Sequence, residues 1–188
     1  GCIWDNSKQD LYWRNWYKEK SFTTLFVDGN HENHQLLSQL PVTNWNSGKV
    51  HYINDSVIHL MRGQIYSIDN QKFFIMGGAT SVDRQFRTPG KSWWPEEQPS
   101  QEEYEEAIRN LDAHNWEVDY VITHTTSMQI MKKMCYIKED SDLNAFLDKL
   151  EGKLSFKHWY FGHFHEDQKI DDKHTVVYNN IIKLDLLG

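Results

Sequence analysis

Hydrophobic and polar residues follow two recurring patterns along the chain, one typical of strands and the other typical of helices. Short apolar runs bounded by turn-forming residues indicate strands, at 24–27, 50–53, 57–61, 64–68, 72–76, 120–123, 158–161 and 175–178. Apolar positions spaced three or four residues apart indicate helices, at 10–20, 33–40, 100–114 and 142–150. Because strands and helices follow one another along the chain, we predict a mixed α/β (α+β) fold.

Turn signals refine this picture in the middle of the chain. The strands between residues 50 and 76 are separated by very short turns, which predict antiparallel hairpins rather than crossover connections. Residues 77–99 lack periodicity and are predicted to form a loop. This loop is longer than the roughly 12–15 residues above which loops without secondary structure are uncommon. Ser100 and Glu103 have the spacing of a capping box at a helix start, and Gly152 is expected to end the last helix.

Composition narrows the class of protein. A chain of 188 residues with 39% hydrophobic residues is long enough for one core, so we predict a single domain over 1–188. The net charge of −7 argues against a general nucleic-acid surface or an anionic membrane surface as the partner. Two cysteines are too few for a disulfide framework, and no apolar run reaches the roughly 18 residues of a membrane span. We therefore expect a cytoplasmic protein.

Candidate chemistry is concentrated in three loops, each of which directly follows a predicted strand. These loops are Gly29-Asn30-His31-Glu32, His124 and Gly162-His163-Phe164-His165. Because side chains at the carboxyl ends of neighbouring strands converge, the three loops are expected to form one site.

The residue types in these loops suit a metal. His163 and His165 are two apart, so in an extended segment both imidazoles face one side and reach one metal, or two metals about 3.5–4 Å apart. Two ordinary surface histidines are the alternative reading of this pair. An Asn carbonyl oxygen beside imidazole is a donor set suited to manganese, iron or zinc, which makes Asn30 a further candidate ligand.

In this order and spacing, the three loops resemble the calcineurin-like metallophosphoesterase family. The resemblance implies a β-sandwich flanked by helices and a hydrolase that uses two divalent metal ions, Mn, Fe or Zn, to cleave phosphoester bonds. It implies that Asn30, His124 and His163 bind the second metal and that His165 binds the first. His31 is then the catalytic residue that stabilises the transition state or protonates the leaving oxygen.

Two motifs of the same family are not found upstream of Gly29. The family pattern has Asp-x-His and Gly-Asp before the Gly-Asn-His-Glu turn, whereas no histidine precedes His31 here. We therefore expect that an N-terminal βα unit lies outside this chain, and that the chain alone holds one ion or none and is impaired as an enzyme. An unpaired sheet edge left by such a unit would favour self-association.

Cations for a phosphate group are available in the long loop. Arg84 and Arg87 are the candidate substrate-binding residues, since Arg forms bidentate bonds with phosphate, and Trp93 and Trp94 offer rings for a base. The alternative is that these are solvated loop residues and a small hydrophobic cluster. Arg62 and the histidines within predicted elements are interpreted as structural: His34, His51, His59 and His158.

Other functions remain open from the sequence. A non-catalytic metal- or nucleotide-binding module would keep the fold without turnover, and a nuclease or cyclic-nucleotide phosphodiesterase would act on a different phosphoester. A single-zinc hydrolase would place His124, His163 and His165 around one ion. The expected ligand in the phosphoesterase interpretation is a small phosphoester or a nucleotide.

Overall fold

The computed structural model describes residues 3–136 and 141–184, which form ten strands, five α-helices and two short 3₁₀ helices, Arg84–Phe86 and Pro95–Glu97. The helices are α1 (Lys8–Lys18), α2 (His34–Ser38), α3 (Gln101–Ala113), α4 (Met128–Lys133) and α5 (Asp142–Lys153). The strands are β1 (Thr24–Phe26), β2 (Val42–Trp45), β3 (Gly48–Asn54), β4 (Val57–Leu60), β5 (Ile65–Ile68), β6 (Gln71–Met76), β7 (Tyr120–Thr123), β8 (His158–Phe161), β9 (Gln168–Lys169) and β10 (His174–Val176). None of the helices among these residues is long and apolar enough to cross a membrane.

The strands are arranged in two mixed sheets. A four-stranded sheet has the order β1-β4-β3-β2, in which only β1 and β4 run parallel. A six-stranded sheet has the order β5-β6-β7-β8-β10-β9, with parallel pairing from β6 through β10. The mixed α/β prediction is therefore confirmed at the level of two mixed sheets with helices.

The six-stranded sheet is buried on both faces, and alternation along β6 shows how. Phe73 and Ile75 pack against the four-stranded sheet, in a core shared with its Val50 and Ile58. Phe74 and Met76 point the other way, into a larger core with the helices. Side chains two apart thus share a face, and the sheet lies between the smaller sheet and a helical layer that includes α3, α4 and α5.

Several predicted elements are confirmed. Strands β7 and β8 have the expected bounds, and two of the three predicted hairpins are present and antiparallel, β3 with β4 and β5 with β6. The third, predicted across the Arg62-Gly63 turn between β4 and β5, is wrong. The two hairpins belong to different sheets, so the chain crosses from one sheet to the other between β4 and β5. The capping box is also present, since Ser100 Oγ accepts from the Glu103 backbone N–H and Glu103 Oε2 accepts from the Ser100 N–H.

Other predictions were wrong or incomplete. Gly152 does not end α5, which continues to Lys153 because a glycine in open solvent space is tolerated within a helix. Strands β2 and β9 and helix α4 were not predicted. Both strands have few buried residues, so their sequences lack the apolar alternation that marks a strand.

Candidate active site

The three candidate loops meet at one pocket of about 610 Å³. His124 and His163 follow the neighbouring parallel strands β7 and β8, whereas Asn30 and His31 follow β1 of the other sheet. The lining residues are Asn30, His31, Val82, Asp83, Arg87, His124, Tyr136, Gly162, His163, Phe164, His165, Val177 and Tyr178. All the candidate metal ligands and the candidate catalytic histidine therefore face one space.

At the centre of this pocket an amide and two imidazoles lie close together. Asn30 Oδ1 is 3.1 Å from His124 Nε2. The His124 and His163 rings have centroids 5.2 Å apart at an interplanar angle of 64°. Asn30 Nδ2 donates a hydrogen bond to Ser81 Oγ over 3.0 Å, so its amide is held at both ends.

Local backbone features explain how these side chains approach so closely. A Cβ atom on Gly29 would lie 2.5 Å from Cε1 of His124, so only glycine leaves room for this ring. The Gly162 N–H donates to the His124 carbonyl over 3.0 Å, which ties the two histidine loops together. His163 and His165 both have positive φ, 73° and 54°, a conformation that non-glycine residues rarely adopt and that concentrates at functional sites.

The electrostatic setting keeps His124 neutral. Burial, with a smaller contribution from the neighbouring His163, lowers the pKa of His124 to about 3. At neutral pH the ring therefore carries no charge. A neutral imidazole is the form that binds a metal.

His31 and Arg87 form a second group in the pocket. Arg87 Nη1 lies 3.5 Å from His31 Nδ1. Arg87 is fixed by two hydrogen bonds to Asp83, of 2.6 and 2.7 Å, and by a third to the Ser92 carbonyl. Loss of hydration and then the Arg87 guanidinium lower the pKa of His31. The structure places Arg84 differently, on the exposed surface and outside the pocket lining.

His165 lines the pocket at a distance from this centre. Its ring stacks on Tyr178, with centroids 4.7 Å apart and an interplanar angle of 20°. Within residues 3–136 and 141–184, no three His, Cys, Asp or Glu side chains are arranged to hold a metal ion. The described residues thus do not form the three-histidine site of the single-zinc alternative, and the donor set at the centre depends on the Asn30 amide.

The two acidic residues of the turn at residues 28–32 are held by structural hydrogen bonds and ion pairs. Buried Asp28 pairs with Arg62 and with His59, and although burial alone would raise its pKa, these two partners hold it well below its usual range. Glu32 Oε2 accepts the Ile3 N–H over 3.2 Å. The structural interpretation of Arg62 and His59 is confirmed by these contacts.

Sequence reasoning missed several residues of the site. Ser81 and Asp83 were not singled out, although they fix Asn30 and Arg87, because their roles appear only when the 77–99 segment folds back onto the 28–32 turn. Trp94, considered as a ring for a base, is fully buried and packs edge-to-face on Trp4.

Comparison with known proteins identifies no relative: no family model, no curated protein and no solved structure matches the chain.

Proposed function

We propose that the protein is a metal-dependent phosphoesterase whose pocket binds a divalent cation beside a phosphate group. The observation that supports this most directly is the approach of Asn30 Oδ1 to His124 Nε2, 3.1 Å apart, with His163 next to them. An amide oxygen and imidazole nitrogens are suitable donors for manganese, iron or zinc. His165, at the side of the same pocket, is the proposed ligand of a second ion.

The chemistry of the donor set suits a cation. Neutral His124 has a free lone pair when its Nε2 is deprotonated, and Gly29 leaves the space that its ring needs. Two divalent ions in such a site would lower the pKa of a bound water molecule and would bind the phosphate oxygens. The net charge of −7 makes local positive charge at the pocket important for attracting an anion.

The protein's own residues then have distinct roles. Arg87 is held in place by Asp83, which accepts from its Nε and Nη2, so Nη1 is the end of the guanidinium that would donate to a non-bridging phosphate oxygen. His31, next to Arg87, is the proposed donor of a proton to the leaving oxygen. Loss of hydration and then Arg87 lower the pKa of His31 in the free protein, whereas a bound phosphate dianion would raise it and so favour the protonated ring.

Metal binding is the first test of this proposal. We expect the chain to bind Mn²⁺ or Zn²⁺ in a calorimetric titration, and Asn30→Ala to weaken this binding at least tenfold because it removes a ligand. Asn44→Ala, on an exposed position of β2, is the matched control and should bind like the wild type. No metal binding by the wild type, or equal binding by Asn30→Ala, would contradict the proposal.

Hydrolysis is the second test. We propose that this chain alone is impaired, because the Asp-x-His and Gly-Asp motifs of the resembled family are not among residues 1–28. Manganese-dependent hydrolysis of an aryl phosphate should therefore be slow, and faster in a version extended at its N-terminus with those motifs. Equal rates from both versions would show that the pocket of this chain suffices.

A non-catalytic module that binds a metal or a nucleotide is the second candidate. One observation favours it: Asp28, Glu32 and Asp83 are each occupied by a structural partner. This candidate predicts binding without turnover even in the extended version. His31→Gln separates the two, because only an enzyme should lose turnover while binding stays unchanged.

A further inference from the structure

A series of buried hydrogen bonds extends from Asn30 away from the pocket. Glu97 Oε1 accepts the Ser81 backbone N–H over 2.9 Å, and Ser81 Oγ accepts Asn30 Nδ2–H over 3.0 Å. Exposed fractions of 1% for Glu97, 2% for Ser81 and 6% for Asn30 exclude water from these contacts. These contacts connect the 77–99 segment to the centre of the site.

These hydrogen bonds can determine the orientation of the Asn30 amide. The two ends of the amide are nearly equal in shape, but only the oxygen can bind a cation, because the NH₂ end is a hydrogen-bond donor. A half-turn of the amide would present NH₂ to the His124 side of the pocket. When His124 Nε2 is deprotonated, the form that binds a cation, it can no longer donate to Oδ1, so a contact on the opposite side is needed to favour the observed orientation.

Ser81 holds the amide, and Glu97 selects its orientation. A hydroxyl can donate or accept, so Ser81 alone would tolerate either end of the amide. The Glu97 carboxylate behind Ser81 places negative charge on that side, where little water screens it. This charge favours the NH₂ end of Asn30 facing Ser81 and leaves Oδ1 facing His124.

The backbone around Glu97 is fixed by close packing. Gly78 has a φ of +90°, and a Cβ atom there would lie 2.5 Å from the Glu97 carbonyl oxygen. Gln98 Nε2 donates to Thr80 Oγ1 over 3.1 Å, which joins the two ends of the segment a second time. The carboxylate is thus held at a set position relative to Ser81.

We propose that Ser81 and Glu97 are positioning residues that present Asn30 Oδ1 to the divalent cation of the site. The proposal rests on the proposed function for the identity of the ligand, but the orientation of the amide can be measured without metal. Loss of such an outer contact typically weakens metal affinity 10- to 100-fold.

The experiment uses Ser81→Ala, Glu97→Gln and the control Ser127→Ala. Ser127 is as buried as Ser81 but caps α4 and does not line the pocket. Mn²⁺ affinity is measured by calorimetry, and the Asn30 side-chain amide is followed by ¹⁵N NMR without metal. Far-UV circular dichroism checks folding, and Glu97→Gln preserves side-chain size if Ser81→Ala is unstable.

We expect Ser81→Ala to bind Mn²⁺ 10- to 100-fold more weakly, with Asn30 amide signals that show exchange between orientations. Glu97→Gln should also weaken binding, whereas Ser127→Ala should stay within about twofold of wild type. Wild-type affinity in Ser81→Ala overturns the proposal, and wild-type affinity in Glu97→Gln overturns the role of the charge.

Failure of the proposed function gives a different result. If the wild type binds no Mn²⁺, the metal site is excluded, and the NMR arm then decides the positioning role alone. Asn30 signals that are unchanged in both variants would overturn it, and exchange that appears in Ser81→Ala would support it.

Discussion

At the scale of single residues, close approaches at glycine determine the shape of the site. Gly29 lies against the His124 ring, and a Cβ atom on Gly77 would lie 2.1 Å from Asp28 Oδ1. Neither position has room for a methyl group unless a functional or buried polar side chain moves. The turns at Gly29 and Gly77 therefore depend on the absence of a side chain as much as on the residues around them.

Gly29→Ala is expected to damage the site and the fold together. The added methyl group must displace His124, and overpacking of this kind costs about 1–3 kcal/mol of unfolding free energy. Urea denaturation should show this loss, and Mn²⁺ titration should show weaker binding. Gly152→Ala is the matched control: its Cβ meets open space within α5, so it should stabilise the protein by up to about 1 kcal/mol.

At the scale of elements, the helix start at Ser100 links local capping to a buried ion pair. Glu103 closes the capping box of α3 and also contacts Arg62, whose guanidinium pairs with Asp28 beneath the Asn30 turn. The first turn of α3 thus helps to neutralise the buried arginine that supports the site from below.

Ser100→Ala should lower the unfolding free energy by about 1 kcal/mol, the usual effect of removing a helix cap. Because the Arg62–Asp28 pair remains, Mn²⁺ affinity should not change. Thermal or urea unfolding measures the first effect and calorimetry the second. Ser38→Ala, at an exposed position of α2, is the control and should change stability by less than about 0.5 kcal/mol.

Elements with strong local signals were predictable from the sequence, and those that depend on distant contacts were not. β7 and β8 are continuous apolar runs, and the capping box is a four-residue pattern, so each could be located without tertiary information. The histidine loops were predicted because they follow strands and match a motif, and Arg87 was predicted because an arginine in the long loop suits a phosphate group. Ser81 acts on a residue 51 positions away, and no local pattern reveals such a pairing.

At the scale of the whole molecule, the site lies where the two sheets come together. β1 contributes Asn30 and His31 from an edge of the four-stranded sheet, and among the described strands it pairs only with β4. Self-association through this edge stays a prediction.

Buried histidines are distributed across the molecule and make its stability depend on pH. Acidification from pH 7 to pH 5 should destabilise the fold. Burial lowers the pKa of His34 and of His51 to about 4, against about 6.5 in the unfolded chain, and nearby Asp28 only partly offsets this for His34. Between these values the unfolded state binds more protons, so stability is full above pH 6.5 and is lost as pH falls towards 4.

His174 contributes with the opposite sign. Burial lowers its pKa, but Glu151 and Asp171, each 2.7 Å away, raise it above the usual value. Its contribution is therefore full below pH 6.5 and is lost as pH rises through the raised pKa. Histidines with a lowered pKa outnumber His174, so the net effect is a loss of stability in acid. They are His31, His34, His51, His124 and His158.

Urea midpoints at pH 7 and pH 5 measure this effect, and His34→Leu should reduce the difference between them. His34 is the informative position because its Nε2 is buried without a hydrogen-bond partner, close to Arg62, Glu96 and His59. Gln35→Leu makes a similar substitution at an exposed position of the same helix and should keep the wild-type difference. An unchanged difference in His34→Leu would contradict the assignment.

The placement of Asn30 and His124 on different sheets has a thermodynamic consequence. A cation held by both side chains would join the two layers, and it would be released when either layer unfolds. Ligand that binds only the folded state adds a free energy of RT ln(1 + [L]/Kd), about 2.7 kcal/mol at a hundredfold excess over Kd. The melting temperature would then depend on the free metal concentration. The same residues that bind the cation would also stabilise the contact between the two sheets.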